Sequence, residues 1–327
     1  MKKQFESMFK CISTIEKGTI TGAVLSKNKI VIFGTTCLIS SKTENDFNIE
    51  DSVLVDPHTM MKILSALEDD AISFILKESN LLVKQKKFSA KVPILEQNIP
   101  EEIEIKNSIT IDQPAWDEII NAATFTQSSK ETFLPELCYV ALTNEGIYSS
   151  NRISIYNSKN FNVPISCFLL HSDTVNGVSN LKETPKKIYY NEEMQKIKTE
   201  NYAIQIPNTS HEYPKERLDQ LFTDTYENSI EVDTDAFKKT IEKLALFGDT
   251  FDFSILDNKA ILCGELQTKF VIPITLNGEK TSFIVHTQEI KKIIDFIKTN
   301  KIYFNADKLF VEENGIRCCT VLSTKEQ

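Results

Sequence analysis

Basic charge is in short supply in this 327-residue chain, where 37 Lys and Arg stand against 46 Asp and Glu for a formal net charge of −9 at pH 7. That balance argues against a protein that coats nucleic acid over its whole surface. Long apolar runs are missing too: none approaches the ~20 residues that a membrane span requires. The first residues, Met1-Lys2-Lys3-Gln4-Phe5-Glu6, lack the apolar core of a signal peptide. A cytoplasmic protein with no membrane partner is therefore expected. The seven cysteines (Cys11, Cys37, Cys138, Cys167, Cys263, Cys318, Cys319) are odd in number, form no C-x-x-C pair and lie mainly in apolar runs. Buried thiols in a reducing compartment suit that pattern better than disulfides or metal ligands. The nine glycines form no G-x-x-x-x-G-K-[ST], G-x-S-x-G or G-x-G-x-x-G pattern, and H-E-x-x-H is absent as well. No nucleophile and base pair stands out and no cofactor is implied, so an enzyme is the least expected reading.

What is present is repetition. Residues 54–67 run as a short apolar strand ending at Val55, a polar break at Asp56, Pro57 and His58, and a helix with Met60, Ile63, Leu64 and Leu67 on one side. The phrase returns at Leu169-Leu170-His171-Ser172 with Val175, Val178 and Leu181. It returns again at Ile284-Val285-His286-Thr287 with Ile290, Ile293, Ile294 and Ile297. Val55, Leu170 and Val285 stand 115 residues apart in turn, too far for a solenoid and about right for a small domain. A second phrase, Ser108-Ile109-Thr110-Ile111-Asp112 before Ala115-Trp116, recurs as Ser229-Ile230-Glu231-Val232-Asp233 before Ala236-Phe237. Each leads into a helical stripe: Trp116, Ile119, Ile120 and Ala123 in one, Phe237, Ile241, Leu244 and Ala245 in the other. Phe5, Met8, Phe9 and Ile12 are the N-terminal counterpart, with no strand before them.

Three tandem copies of one α+β domain are therefore expected, at residues 1–105, 106–222 and 223–327, each with two helices on one face of about eight antiparallel strands. In the first copy, residues 23–33 and 38–42 read as strands and residues 72–76, 81–84 and 88–92 as a closing meander. Residues 93–107, with Pro100 and Glu101-Glu102-Ile103-Glu104, read as a linker able to pair as an edge strand. Residues 213–222 lead into the third copy. Long strands need their edges paired or covered, which favours domains joined edge to edge.

The acidic clusters Glu68-Asp69-Asp70 and Asp233-x-Asp235 sit at predicted helix ends, where capping or solvation explains them better than a divalent ion. His58, His171 and His286 recur at the start of each second helix and read as part of the repeat, while His211 lies in a loop. The informative residues are lysines on helix faces opposite the apolar stripes: Lys238, Lys239, Lys243, Lys291, Lys292 and Lys298 in the third copy, and Lys2, Lys3, Lys10 and Lys62 in the first. The second copy is weaker, exposing Asp117, Glu118 and Asn121, with Lys130 and Lys182 only beyond its helices. A charged helix face is usually only solvated, but its recurrence in an acidic chain points to one shared basic surface. Such lysines touch phosphate without reading bases, giving sequence-independent, salt-sensitive binding.

In its three tandem two-helix domains and in the order of strand, polar break and helix at residues 53–67, the chain resembles the bacterial DNA polymerase III beta subunits, the sliding clamps. The resemblance spans nearly the whole chain in order and spacing more than in identity. It implies a DNA-clamp fold, half of a six-domain ring made by a head-to-tail homodimer, with the helices facing double-stranded DNA. It also implies a DNA polymerase and a clamp loader ATPase as partners, and a pocket for their linear motifs between the second and third domains. The family's Arg-aliphatic loop looks like Asn151-Arg152-Ile153, and its aromatic-Pro segment like Tyr213-Pro214 with Arg217-Leu218. The family's Met-Pro-Met-type tail is replaced by Val321-Leu322 and their neighbours, so an altered pocket is implied. The divergence suits a phage or plasmid clamp. The competing reading keeps the fold but not the DNA: a clamp-like interaction protein that binds clamp-binding peptides or transcription factors without encircling DNA.

Overall fold

The structure, a computed structural model, describes all residues except 44–48, 50–51, 69–71, 97, 128–133, 223–225, 297 and 325–327. Asp69, Asp70, Lys130, Ile297 and the expected boundary after residue 222 lie outside or against this limit. The fold is α+β, and every strand pairing among the described residues is antiparallel. Packing divides the chain into two compact units: Met1–Ile120 with Asp173–Ser210, and Asn121–Ser172 with His211–Gln327.

In the first unit, helix α1 (Lys2–Ile15) buries Phe5, Met8, Cys11 and Ile12. Phe9, expected in that core, is half-buried and meets the ring of His58 edge-on at 5.2 Å. Helix α2 (Pro57–Ser65) begins at Asp56, whose carboxylate accepts from the Thr59 amide at 2.6 Å, with Pro57 preset for the first turn. Partial burial pushes the Asp56 carboxyl up, but the Thr59 bonds hold it below its ordinary range. Both helices pack on an eight-stranded sheet. It runs from Val53–Val55 through Ile20–Ser26, Lys29–Gly34 and Leu38–Lys42 to Tyr202–Pro207, Met194–Lys198, Lys187–Tyr190 and Asn107–Thr110. At its centre, Leu38–Lys42 pairs with Tyr202–Pro207, Leu38 opposite Gln205, so segments of the first two expected copies share one ladder. Residues 23–33 are not one strand: Ser26 pairs with Lys29, and the polar Lys27-Asn28 step turns the chain into a hairpin. The closing meander is a separate three-stranded sheet of Ser73–Lys77, Asn80–Gln85 and Phe88–Pro93.

Helices α3 (Gln113–Ala123) and α4 (Ser172–Ser179) each cross the division between the units. The Asp112 carboxylate caps α3 through the Ala115 amide at 2.9 Å. Trp116, Ile119 and Ala123 are buried, with Ala122 rather than the half-buried Ile120 completing the face. Gly177 of α4 lies against α1, where an added Cβ would stand 2.9 Å from the Cys11 carbonyl oxygen and 2.6 Å from Ile15. Residues 94–96 and 98–106 are pinned without forming an edge strand. Ile94 bridges to Val55, the Ile103 amide donates to Gln205, and Glu102 takes ion pairs from Lys29 (2.6 Å) and Lys196 (3.2 Å).

The second unit holds a thirteen-stranded antiparallel sheet. It begins at Cys167–His171, Tyr139–Thr143, Gly146–Ser150 and Ser154–Ser158, and passes to Ile316–Val321 with Ser154 opposite Thr320. It continues through Lys308–Glu313, Lys301–Phe304, Asn228–Val232, Lys269–Asn277, Lys259–Cys263, Thr250–Ile255 and Thr281–His286 to Ser323–Thr324. Helix α5 (Lys215–Phe222) was not expected as a helix. Helix α6 (Thr234–Leu244) is capped by Asp233 through the Ala236 amide at 2.9 Å, as the sequence predicts, and buries Phe237, Ile241 and Leu244 while Ala245 is half-buried. Helix α7 (Thr287–Phe296) buries Ile290, Ile293 and Ile294 and packs against α6 and the Ile316–Val321 strand.

Candidate functional site

The second unit contains a cleft of about 210 Å³. Its floor is Leu137, Ile155, Leu218 and Cys319, all buried, and its walls are Leu134, Ile153, Leu221 and Val321. Pro214 and Ser150 close two corners, and the rim carries Arg152, Arg217 and Lys308 with Glu136. An apolar trough under three cations and one carboxylate suits a short segment that offers apolar side chains and acidic groups.

Helix α5 supplies one side. Pro214 precedes its first turn, and the Leu218 amide donates to the Pro214 carbonyl at 3.2 Å. Leu218, Leu221 and Phe222, at i, i+3 and i+4, turn one face onto a cluster with Tyr148, Tyr213, Phe310 and Cys319. The edge of that face is tied down by Lys215, which bonds Glu145 at 2.8 Å and Asp219 at 3.0 Å. Tyr148 donates to Asp219 at 2.9 Å; burial and that neighbouring carboxylate push its phenol up to about 12. The Arg317 guanidinium lies 4.5 Å from the Phe222 ring centre while bonding Asn157.

The opposite side is the turn from Ser150 to Ser154. Asn151 Oδ1 accepts from the Ser154 amide at 2.8 Å and the Ile153 amide at 3.1 Å, and Arg152 between them has φ +79°, a left-handed conformation that L side chains rarely adopt. The Ile153 carbonyl accepts from the Val321 amide at 2.9 Å. Behind the turn, Glu289 of α7, 8% exposed, accepts from Asn151 Nδ2 at 2.9 Å and from the Ser154 hydroxyl, and pairs with Lys292 at 2.9 Å. Burial pushes the Glu289 carboxyl up; the bonds from Ser154, Lys292 and Asn151 outweigh it and hold the group below its ordinary range.

Of the pocket residues named from the sequence, Arg152, Ile153, Pro214, Arg217, Leu218 and Val321 line the cleft. Three do not. Asn151 builds the turn, Tyr213 is buried in the cluster beneath, and Leu322 is buried with its amide on the Asp307 carbonyl at 2.7 Å. Leu134, Glu136, Leu137, Ser150, Ile155, Leu221, Lys308 and Cys319 complete the lining without being predicted from the sequence. Leu221 is readable from its spacing to Leu218, and Leu137 from the Pro135 that opens a short 3-10 turn, Pro135–Cys138. The others arrive from distant segments with no local signal.

The lysines divide by what they touch. Lys2 donates to the Leu67 carbonyl at 2.5 Å, while Lys3 and Lys10 on α1 and Lys62 on α2 are exposed. On α6, Lys238 pairs with Asp295 of α7 at 2.6 Å, and Lys243 lies 5.9 Å from the Phe270 ring centre. Lys292 is the partner of Glu289. Lys239 and Lys291 have no side-chain partner among the described residues, and Lys298 is exposed just past α7. A helical wheel places all six on a polar face; it does not show that two of them meet carboxylates.

Sheet, helix pairs and cleft together define a sliding-clamp fold. No family model and no curated protein matches the sequence. Solved structures do match. The Helicobacter pylori beta clamp, solved bound to a DNA ligase peptide, superposes with a TM-score of 0.82 over 99% of this chain and 98% of its own, at 15% identity. The Bacillus subtilis DNA polymerase sliding clamp gives 0.82 over 99% and 97% at 14% identity. The DNA polymerase III beta subunit of Thermotoga maritima gives 0.79 over 99% and 98% at 14% identity. Among the described residues, no helix is long and apolar enough to cross a membrane.

Proposed function

We propose that this chain is a DNA sliding clamp, a ring that encircles duplex DNA without sequence specificity and tethers a replicative DNA polymerase. The observation that carries the reading is the full-length fold match, reaching 97–99% of each of those three clamps as well as of this chain. The cleft adds support, since it is assembled from the Arg152-Ile153, Pro214 and Arg217-Leu218 segments that the family resemblance singles out. In this reading residues 1–105, 106–222 and 223–327 are the three clamp domains, and two copies joined head to tail make six. The protein works in the cytoplasm and needs no cofactor. It makes and breaks no bond, and any ATP hydrolysis belongs to a clamp loader.

Unpaired backbone supports self-association. Among the described residues, strand Phe88–Pro93 is paired on one side only, and so are the first residues of Lys269–Asn277, from which Val271 projects 55% exposed. Leu246 and Leu266 are 79% and 83% exposed. Edge strands and apolar side chains left open in this way invite a second chain. The basic helices supply phosphate contacts in the lumen, and the cleft takes the polymerase's linear segment. Tethering then raises the effective concentration of the enzyme at its template.

A ring makes a topological prediction: sedimentation equilibrium returns twice the chain mass, and the loaded protein stays on nicked circular duplex but runs off after linearisation. The second reading, a peptide-binding clamp-like protein that encircles nothing, draws on the charge pairing of Lys238 and Lys292. It predicts a monomer that binds clamp-binding peptides and shows no difference between circular and linear DNA.

A further inference from the structure

We infer that Glu289 is a positioning residue for the cleft, holding the Arg152 turn in its binding shape through the charge it shares with Lys292. The functional meaning of that shape rests on the cleft being a peptide site; the positioning itself does not. Among the described residues Glu289 is the one charged side chain that is buried, at 8% exposure. A buried carboxylate is costly unless paired and hydrogen-bonded. Here every bond made to it comes from one of two places. Asn151 Nδ2 and the Ser154 hydroxyl reach it from the turn, and Lys292 reaches it from the same helix three residues on.

Those two turn residues are the ones that fix Arg152. Asn151 Oδ1 takes the amides of Ile153 and Ser154, so the orientation of its amide plane sets the turn, and Glu289 sets that orientation by receiving the other end. A positive φ at a non-glycine residue persists only where its surroundings over-determine it. Arg152, at +79°, is held at the cleft rim by this chain of contacts on one side and by the bond from the Val321 amide to the Ile153 carbonyl on the other. Lys292 is therefore more than a polar-face lysine. It supplies the countercharge that makes a buried carboxylate tolerable, and loss of that countercharge loosens a turn that Lys292 itself does not bond.

The test is amide hydrogen exchange, read by mass spectrometry on the full chain, over residues 150–154. Glu289→Gln keeps the volume and one acceptor but cannot pair with Lys292, so exchange in the turn is expected to rise about tenfold or more. Lys292→Met is expected to raise it similarly, whereas Lys292→Arg keeps the cation and leaves exchange slow. Lys291→Met, one residue away, is expected to leave it unchanged. In the Glu289→Gln background Lys292→Met adds nothing further, because the route has already been removed. Amides of the second unit's Thr250–Ile255 and Lys259–Cys263 strands serve as the folding control and stay protected throughout. The inference is overturned if Glu289→Gln leaves the turn as protected as before, or if the two substitutions act additively. Both outcomes are read without DNA or polymerase, so they stand apart from the success or failure of the clamp reading.

Discussion

Charge reversal on α6 and α7 is the sharpest test of the DNA-facing surface, provided that the right lysines are reversed. Lys238→Glu would place a second carboxylate beside Asp295, whose oxygen now lies 2.6 Å from the Lys238 ammonium, and Lys292→Glu would do the same to buried Glu289. Either change disturbs helix packing, so lost DNA binding would have two explanations. Lys239 and Lys291 have no such partner among the described residues, and the double variant Lys239→Glu/Lys291→Glu separates the two effects. Each phosphate contact contributes ~0.9 to the slope of log K against log salt concentration. Two lysines on each of two copies therefore remove ~3–4 from that slope if all four meet phosphate. The assay is retention on nicked circular duplex across a potassium chloride series, with circular dichroism as a check on folding. An unchanged slope in a folded dimer would refute the assignment of these helices to DNA.

Other outcomes follow from the cleft and its surroundings. Arg152→Gly is expected to be more stable than Arg152→Ala by ~1 kcal/mol in urea unfolding, because only glycine adopts the positive φ without strain. Leu218→Ala should cost ~2–3 kcal/mol; it sits at the low end for a leucine 6% exposed because the vacated space opens into the cleft. The same variant should weaken capture of clamp-binding peptides. Glu102 reports on the first unit: partial burial pushes its carboxyl up, but bonds from Lys29, Ser40 and Lys196 prevail and hold it at about 2 rather than 4.5. A depressed folded pKa gives stability that is present above pH 4.5 and is lost as pH falls toward 2. Denaturant midpoints of Glu102→Gln should accordingly fall less over that interval than those of the parent.

The parts of the fold legible in the sequence are those written in local periodicity. Asp112 and Asp233 each close a strand and cap the helix that follows, and Asp56 does the same for α2, so a strand, an aspartate and an apolar stripe give three helix starts correctly. Residues 23–33 look like one strand because apolar residues continue on both sides of Lys27-Asn28, and the turn shows only in the pairing of Ser26 with Lys29. Helix α5 carries little signal in the sequence because its eight residues are mostly charged or polar, with a short stripe of Leu218, Leu221 and Phe222. In the cleft, Arg152 and Leu218 come from recognisable phrases, whereas Cys319 and Lys308 enter only through the register of Ile316–Val321 with its neighbours. Glu289 was invisible for a related reason: on the sequence it is one more polar residue in an amphipathic helix, and only the sheet brings Asn151 beside it.

The pairing of Leu38–Lys42 with Tyr202–Pro207, and of Ser154–Ser158 with Ile316–Val321, has a consequence for biosynthesis. Neither large sheet is built from one continuous stretch. On the ribosome the first sheet waits for residue 207 and the second for residue 324, so early strands must spend much of translation with open edges. Such non-local ladders form slowly and leave partly made chains exposed to one another. Arrest after residue 210 should yield a protease-resistant core from the first unit alone, while the second unit's strands remain cleavable until the last ladder is in place.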